Sequence, residues 1–168
     1  RILQPQPKSY PLCRYAPEIQ SRLSSDRERL ELTYDSGMDR DMPEKDAALA
    51  YEKVFTGYLS KEMAAGCTLY GVHRDELALC INGKSVREYG SQGQQRSVVL
   101  ALKLAEGEAC GDICGEYPVY LFDDVLSELD ESRRSVVITG DGKRQYIMTA
   151  CDKSAYSGEA HCIGTKKG

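Results

Sequence analysis

Two motifs in the second half of the chain constrain its fold and chemistry most. The first is Ser-Gln-Gly-Gln-Gln-Arg, residues 91–96, which opens a helical run; the second is an apolar strand, residues 118–122, that ends in Asp123 and Asp124. A helix start offers backbone N–H groups and a positive dipole end to an anion. Adjacent carboxylates at a strand end suit a hydrated metal ion and an attacking water. The two motifs together predict a site for a nucleotide with magnesium.

In this order and at this spacing the motifs resemble the signature motif, Walker B strand and D-loop of ATP-binding-cassette (ABC) ATPases, in the branch with the SMC-like heads. Flanking stretches resemble the RecF family of bacterial replication and repair proteins. They are Gly71-Val72-His73-Arg74-Asp75, Ala101-Leu102-Lys103-Leu104-Ala105-Glu106 and Leu121-Phe122-Asp123-Asp124-Val125-Leu126-Ser127-Glu128-Leu129-Asp130. The resemblance implies an α/β fold, namely the C-terminal half of an ABC/SMC-like ATPase head with part of a helical arm, lobe II.

The resemblance also implies roles for the two acids. Asp123 is expected to hold Mg²⁺ through water, and Asp124 stands where ABC ATPases usually have a catalytic glutamate. Aspartate is shorter than glutamate, so its reach to the attacking water differs.

The signature and D-loop segments are expected to contact an ATP held by the other subunit of a homodimer. ATP would then join two heads. The residues expected at this shared site are Ser91, Gln92, Gly93, Gln94, Ser127 and Asp130.

The chain lacks the phosphate-binding P-loop that such an ATPase needs. Gly83-Lys84-Ser85 matches the end of that motif, but Ala78 stands where its first glycine should be. Asn82-Gly83 between alternating apolar residues predicts a β-hairpin instead. The chain begins at Arg1 without an initiator methionine, so we interpret it as a fragment whose Walker A loop precedes Arg1. Alone it is expected not to hydrolyse ATP.

Two further motifs, a His-Arg-Asp stretch and the switch histidine of ABC ATPases, need separate interpretation. His73-Arg74-Asp75 is similar to the catalytic loop of protein kinases, but Cys80 stands where that loop needs asparagine. The sequence leaves open a structural pair at a strand edge and a contact with DNA or nucleotide. The switch histidine of ABC ATPases is also missing, since Ala150-Cys151-Asp152 follows the last predicted strand.

Apolar periodicity predicts the other elements. Helices are expected near residues 10–23, with Pro17 in the first turn, and from Asp41 or Pro43 to Gly66. Strands are expected around residues 30–34, 77–81, from Val86, and at 119–122 and 146–148. We expect residues 1–66 to form part of the helical arm, lobe II, and residues 67–168 the C-terminal half of the ATPase core.

Further predicted features concern the ends of elements and the loops between them. Asp35-Ser36-Gly37 is expected to end the first strand, Gly107 to loosen the central helix, and Gly111 to lie in the loop that follows it. Gly140-Asp141-Gly142 closes the next helix, and the last residues look frayed.

The net charge and the cysteine content indicate which partners and which cellular compartment to expect. A net charge of −4 disfavours binding to polyanions over the whole surface, so any DNA contact needs a local basic patch. The seven cysteines, without a signal peptide, indicate reduced thiols in the cytoplasm. Zinc at Cys110 and Cys114 is disfavoured, since Cys151, His161 and Cys162 lack ligand spacing. No apolar stretch approaches the length of a membrane span.

The leading hypothesis is therefore a RecF-like ATPase fragment that dimerises with ATP on gapped DNA or single-strand junctions. The resemblance implies partners RecO and RecR, recombinase loading, and a role in DNA damage and the SOS response. Two alternatives stay open, namely a fragment of another SMC-like ATPase and a non-enzymatic interaction module.

Overall fold

The computed structural model describes residues 11–35, 44–125, 129–138 and 144–150. Within these ranges helices and strands alternate along most of the chain. The elements are α1 Pro11–Leu23, β1 Leu30–Asp35, α2 Glu44–Ala65, a 3₁₀ turn Val72–Arg74, β2 Glu76–Ile81, β3 Lys84–Ser85, α3 Val86–Tyr89, α4 Gln92–Cys114, β4 Val119–Asp123, α5 Glu131–Ile138 and β5 Gln145–Thr149.

The strands form two small sheets. One is antiparallel with the order β1-β2-β3, and the other is the parallel pair β4-β5, in which Asp123 lies opposite Thr149. A parallel pair needs a crossover connection, and α5 lies between β4 and β5 in the chain. The mixture of helices and sheet confirms the α/β class.

The core lies between α1, α4 and the two sheets. α1 packs along α4, and β1 pairs with β2, so elements on both sides of residue 66 share this core. The division into an arm and an ATPase half stays a prediction. The buried apolar side chains are Ala16, Ile19, Leu23, Leu30, Leu32, Ile81, Val86, Val98, Leu100, Ala101, Leu104, Ala105, Tyr120, Phe122, Leu129 and Val137.

The first helix differs from the prediction at its prolines. α1 begins at Pro11, and Pro17 lies inside it. Proline fits the first helical position because its missing N–H is not needed there. Pro17 cannot donate to the carbonyl of Cys13, yet burial of the neighbouring Ala16 and Ile19 favours continuation of the helix.

The Asn82-Gly83 hairpin is confirmed. Both residues have positive φ, 50° and 77°, as a two-residue hairpin turn requires. The return strand is Lys84–Ser85, paired with β2. The prediction of a strand from Val86 is wrong, because the Ser85 side chain accepts a hydrogen bond from the Glu88 N–H and caps α3.

The central helix α4 runs past two glycines that were expected to loosen or end it. Gly107 and Gly111 both lie inside the helix, which ends at Gly115 with φ 77°. A side chain at Gly107 would meet Tyr120, and one at Gly111 would meet Tyr117. Both glycines therefore allow α4 to pack closely. Gly107 lies against β4, and Gly111 lies against the segment that precedes β4.

The Walker B-like strand is buried on one face. Tyr120 and Phe122 point into the core, whereas Val119 and Leu121 are 48% and 72% exposed. Although residues 119–122 are all apolar, only one face of the strand is therefore covered within the described residues.

The predicted helix α2 is confirmed, with Gly66 at φ 65° and its N–H bonded to the Glu62 carbonyl. Its large apolar side chains Leu49, Phe55, Leu59 and Met63 are exposed. Within the described ranges, no helix is long and apolar enough to cross a membrane.

Some predicted features fall outside the described residues. They are Ser36-Gly37, the helix start at Asp41 or Pro43, Ser127, Gly140-Asp141-Gly142 and the residues from Cys151 onward, which include His161 and Cys162.

Candidate nucleotide site

The start of α4 is an exposed and well-capped helix end. Ser91 is its N-cap, and its hydroxyl accepts a hydrogen bond from the Gln94 N–H at 3.3 Å. In return the Gln94 Oε1 accepts one from the Ser91 N–H at 2.9 Å. This capping box leaves the N–H groups of Gln92 and Gly93 without an acceptor in the helix. They and the helix dipole form an anion-binding surface.

Open space surrounds this helix start. Ser91, Gln92 and Gly93 are exposed, and a side chain at Gly93 would meet no atom within 4 Å. Packing within the described residues therefore does not require glycine at position 93. A small residue there leaves room for a ligand or another molecule to approach the backbone.

The two acids lie at the carboxyl end of β4 and are held by Thr149 on β5. The Thr149 hydroxyl donates to Asp123 Oδ1 at 2.6 Å and accepts a hydrogen bond from the Asp124 N–H at 2.9 Å. Asp124 has a φ of 51°, the left-handed region that few residues other than glycine, asparagine and aspartate adopt. Thr149 thus fixes one carboxylate and the backbone of the next residue.

This end of the sheet suits a hard cation. Mg²⁺ prefers oxygen ligands and is commonly bound through one or two carboxylates plus waters and phosphate oxygens. Asp123 is exposed, and Thr149 bonds to one of its two oxygens. No group of three or more His, Cys, Asp or Glu side chains that could hold a metal is present among the described residues. The donor set fits magnesium shared with a phosphate better than a closed protein site.

The helix start and the strand end are separate places on one chain. The Tyr120 hydroxyl donates to the Leu104 carbonyl oxygen, which aligns β4 with α4. Ser91 lies about 20 Å along the helix from Leu104, whereas Asp123 lies about 10 Å along the strand from Tyr120. The two candidate surfaces therefore lie at the ends of different elements, α4 and β4.

Asp130 caps α5. Its Oδ1 accepts hydrogen bonds from the Ser132 hydroxyl at 2.6 Å and the Arg133 N–H at 2.9 Å, and its Oδ2 pairs with the Arg133 guanidinium at 2.7 Å. The Ser132 and Arg133 hydrogen bonds lower the pKa of Asp130. The cap is present at neutral pH, and its contribution to stability is lost as the pH falls through that lowered pKa.

The structure also joins the starts of α4 and α5 through a residue that the sequence did not single out. Glu28 accepts a hydrogen bond from Gln94 at 3.1 Å and lies 3.9 Å from Arg133. Glu28 sits in a charged run, 26–29, that resembles any solvated turn, so no sequence signal marks it. Thr149 has no local sequence signal either, since it is the parallel pairing of β4 with β5 that places it beside Asp123.

His73-Arg74-Asp75 lies away from these contacts, in the turn before β2. Arg74 donates to the Thr68 carbonyl oxygen at 3.3 Å, and Asp75 accepts a hydrogen bond from the Tyr34 hydroxyl. His73 and Arg74 are exposed. The contacts of Arg74 and Asp75 favour the structural interpretation of this motif.

The described cysteines carry thiols that are not joined in disulfides. They are Cys13, Cys67, Cys80, Cys110 and Cys114. Cys110 and Cys114 are close, with their sulfur atoms 3.9 Å apart. All seven thiols of the chain are expected to react with a thiol reagent after denaturation without prior reduction, and metal analysis should find no stoichiometric zinc. Fewer reactive thiols, or one zinc per chain, would contradict this.

Comparison with known proteins shows which family the chain is similar to. No family model matches it, but it is similar to curated relatives named "DNA replication and repair protein RecF". Identity is 46% over 147 residues with that of Heliobacterium modesticaldum, 41% over 139 with that of Bacillus velezensis and 40% over 139 with that of Bacillus subtilis. These alignments cover 81–86% of this chain but only 38–40% of the relatives. The chain thus spans about two-fifths of their length, in agreement with the predicted C-terminal part.

Two solved structures of the recombination mediator protein RecF in the RecFOR pathway have the same fold. The RecF–ATPrS structure aligns with a TM-score of 0.72 and 32% identity, over 89% of this chain and 40% of that one. The RecF–ATP structure gives 0.69 and 30%, over 85% and 39%. The chain therefore belongs to the RecF family of DNA replication and repair proteins, and its fold is that of part of a RecF ATPase.

Proposed function

We propose that this chain is the signature and Walker B part of a RecF-type ATPase in which ATP joins two subunits. The observation that carries this proposal is the pair of exposed polar ends, namely the capped start of α4 and the end of β4 that Thr149 holds. The exposed α4 start suits a phosphate, and the Asp123–Asp124 end of β4 suits magnesium and water. The resemblance to ABC ATPases implies that two chains share each nucleotide, with the α4 start of one chain facing the nucleotide of the other.

In this arrangement Asp123 and Asp124 act on the nucleotide of their own subunit. Asp123, oriented by the Thr149 hydroxyl, would hold Mg²⁺ through water. Bound Mg²⁺ would offset phosphate charge. Asp124 would orient and deprotonate the attacking water. Its φ of 51° and its N–H bond to Thr149 fix the backbone from which the carboxylate projects.

The α4 start acts on the nucleotide of the opposite subunit. The N–H groups of Gln92 and Gly93 and the hydroxyl of Ser91 would contact its terminal phosphate, since Ser91 Oγ accepts from Gln94 and still has a proton to donate. Gln94 would hold the cap, and the segment with Ser127 and Asp130 would complete the interface. We assign Asp130 mainly to shaping that segment, because its carboxylate caps α5.

The wider function follows from the family. We propose that the whole protein binds DNA at gaps or single-strand junctions, dimerises with ATP, and helps RecO and RecR to load recombinase during the response to DNA damage, including the SOS response, in the bacterial cytoplasm. The support is the relatives' name and the RecFOR pathway of the solved structures. We further propose that α2, with its exposed apolar side chains, is the part of residues 1–66 that belongs to the arm.

The test is Ser91→Arg in the full-length protein that carries this chain. Arginine places a long side chain where the phosphate must approach the α4 start, while the nucleotide pocket of the same subunit is unchanged. Nucleotide binding should persist, and ATP-dependent dimers should be lost in sedimentation velocity with ATP and Mg²⁺.

Ser85→Arg is the matched control, because Ser85 caps the neighbouring helix α3 by the same kind of hydrogen bond. It imposes a similar loss of a cap, about 1 kcal/mol, at a position with no proposed phosphate contact. Dimers should persist in this variant. If Ser91→Arg dimerises like the unmodified protein, the proposed function loses its main support.

A further inference from the structure

A partly buried carboxylate joins the first turns of α4 and α5. We call the group Gln20, Glu28, Gln94 and Arg133 the Glu28 junction. Glu28 Oε2 accepts a hydrogen bond from Gln20 Nε2 at 2.6 Å, and Oε1 accepts one from Gln94 Nε2 at 3.1 Å. Oε1 also lies 3.9 Å from the Arg133 guanidinium. The four residues come from α1, the turn that follows it, α4 and α5.

Burial makes these contacts stronger than surface ones. The Glu28 and Arg133 side chains are 13% and 18% exposed, and Gln20 is fully buried. Two amide donors and one guanidinium converge on this side chain, and an ionised carboxylate has only acceptors. Charge and hydrogen bonding therefore both favour glutamate at position 28.

The junction continues into the proposed site on both sides. The Gln94 amide is fixed at both ends, since Nε2 donates to Glu28 and Oε1 accepts from the Ser91 N–H. On the other side Arg133 Nη1 donates to Asp130 Oδ2 at 2.7 Å. A path of polar contacts thus runs from Ser91 through Glu28 to Asp130.

We propose that Glu28 is a positioning residue that fixes the spacing between the α4 start and the α5 start, so that both segments meet the nucleotide of the opposite subunit together. The inference rests on the proposed function. It adds that the signature and D-loop segments act as one unit, and that a residue in the turn after α1 makes them so.

The test compares three variants of the full-length protein in sedimentation with ATP and Mg²⁺. Glu28→Ala removes every contact of the junction and should raise the dimer dissociation constant at least about tenfold, the effect expected for loss of hydrogen bonds to a charged group. Glu28→Gln should lie between Glu28→Ala and the unmodified protein, because its amide can still bond to Gln94. ATP binding by single subunits should stay unchanged in all variants.

Gln20→Leu is the matched control. It removes the hydrogen bond from the fully buried Gln20 side chain to Glu28. The contacts of Glu28 with Gln94 and Arg133 stay intact. Its dissociation constant should stay within about twofold of the unmodified protein. If Gln20→Leu weakens dimers as much as Glu28→Ala, the junction serves stability alone and the proposal is wrong.

Arg133→Gln removes the ion pair between Glu28 and the start of α5. It provides a second test if Glu28→Ala does not fold. It should weaken dimers, and normal dimerisation by this variant would overturn the proposal. The outcome with Ser91→Arg separates the two ideas. Loss of dimers there with normal dimers in the Glu28 and Arg133 variants rejects only the junction, whereas normal dimers with Ser91→Arg reject the proposed function.

Discussion

Asp124→Asn is expected to lower ATP hydrolysis by the full-length protein about 100-fold or more, the range for loss of a general base, while ATP-bound dimers accumulate. Asparagine keeps the size of aspartate and tolerates the φ of 51°. The N–H bond to Thr149 persists because it uses the backbone. The variant should therefore bind ATP and magnesium normally and fail at the chemical step. Steady-state phosphate release and sedimentation measure the two effects.

Glu116→Gln controls for removal of an acid, because Glu116 is exposed in the connection between α4 and β4. Its hydrolysis rate should match that of the unmodified protein. Hydrolysis by Asp124→Asn within about threefold of the unmodified rate, without accumulation of dimers, would remove Asp124 from the proposed role.

Gly107→Ala should cause a large loss of stability, about 2–3 kcal/mol or more in the free energy of unfolding. The added Cβ would lie 1.7 Å from the Tyr120 Oη and 2.3 Å from its Cζ. Tyr120 cannot easily move, since it is 7% exposed and its ring stacks on that of Tyr146. Its burial also raises the pKa of its hydroxyl to about 12. Urea unfolding of the full-length protein measures the effect.

Two glycines provide matched controls for this substitution. Gly57→Ala in α2 meets no atom within 4 Å and should stabilise by about 0.5–1 kcal/mol, the gain for alanine in a helix. Gly111→Ala meets the Tyr117 ring at 2.8 Å, but that ring is 37% exposed and can yield. Its cost should be smaller than at Gly107. A Gly107→Ala protein as stable as Gly57→Ala would show that the helix and strand are not packed this closely.

Local chemistry made much of the fold predictable. The Asn82-Gly83 turn needs two residues that accept positive φ. The sequence places them between stretches in which apolar residues alternate with others. The end of α2 at Gly66 and the cap at Ser91 depend on residues next to them in the chain. The acids at the end of β4 were predictable for the same reason, because the apolar run of residues 118–122 and the two carboxylates are adjacent in the chain.

What the sequence did not reveal depends on contacts between distant residues. Gly107 looks like a helix breaker until Tyr120 is placed against it. Thr149 and Glu28 have ordinary neighbours, and they gain their roles from β4–β5 pairing and from the packing of α1 on α4. Such contacts depend on the whole core, so a one-dimensional pattern does not contain them.

The left-handed backbone at Asp124 restricts which residues natural variation can place beside the Walker B aspartate. Glycine, asparagine and aspartate adopt this conformation at little cost, whereas a longer side chain adds about 1–2 kcal/mol of strain. Of the residues that fit, aspartate is the one that can accept a proton from water at neutral pH. Glutamate at position 124 would therefore carry this backbone strain in addition to its greater length, which favours aspartate beside the Walker B residue here.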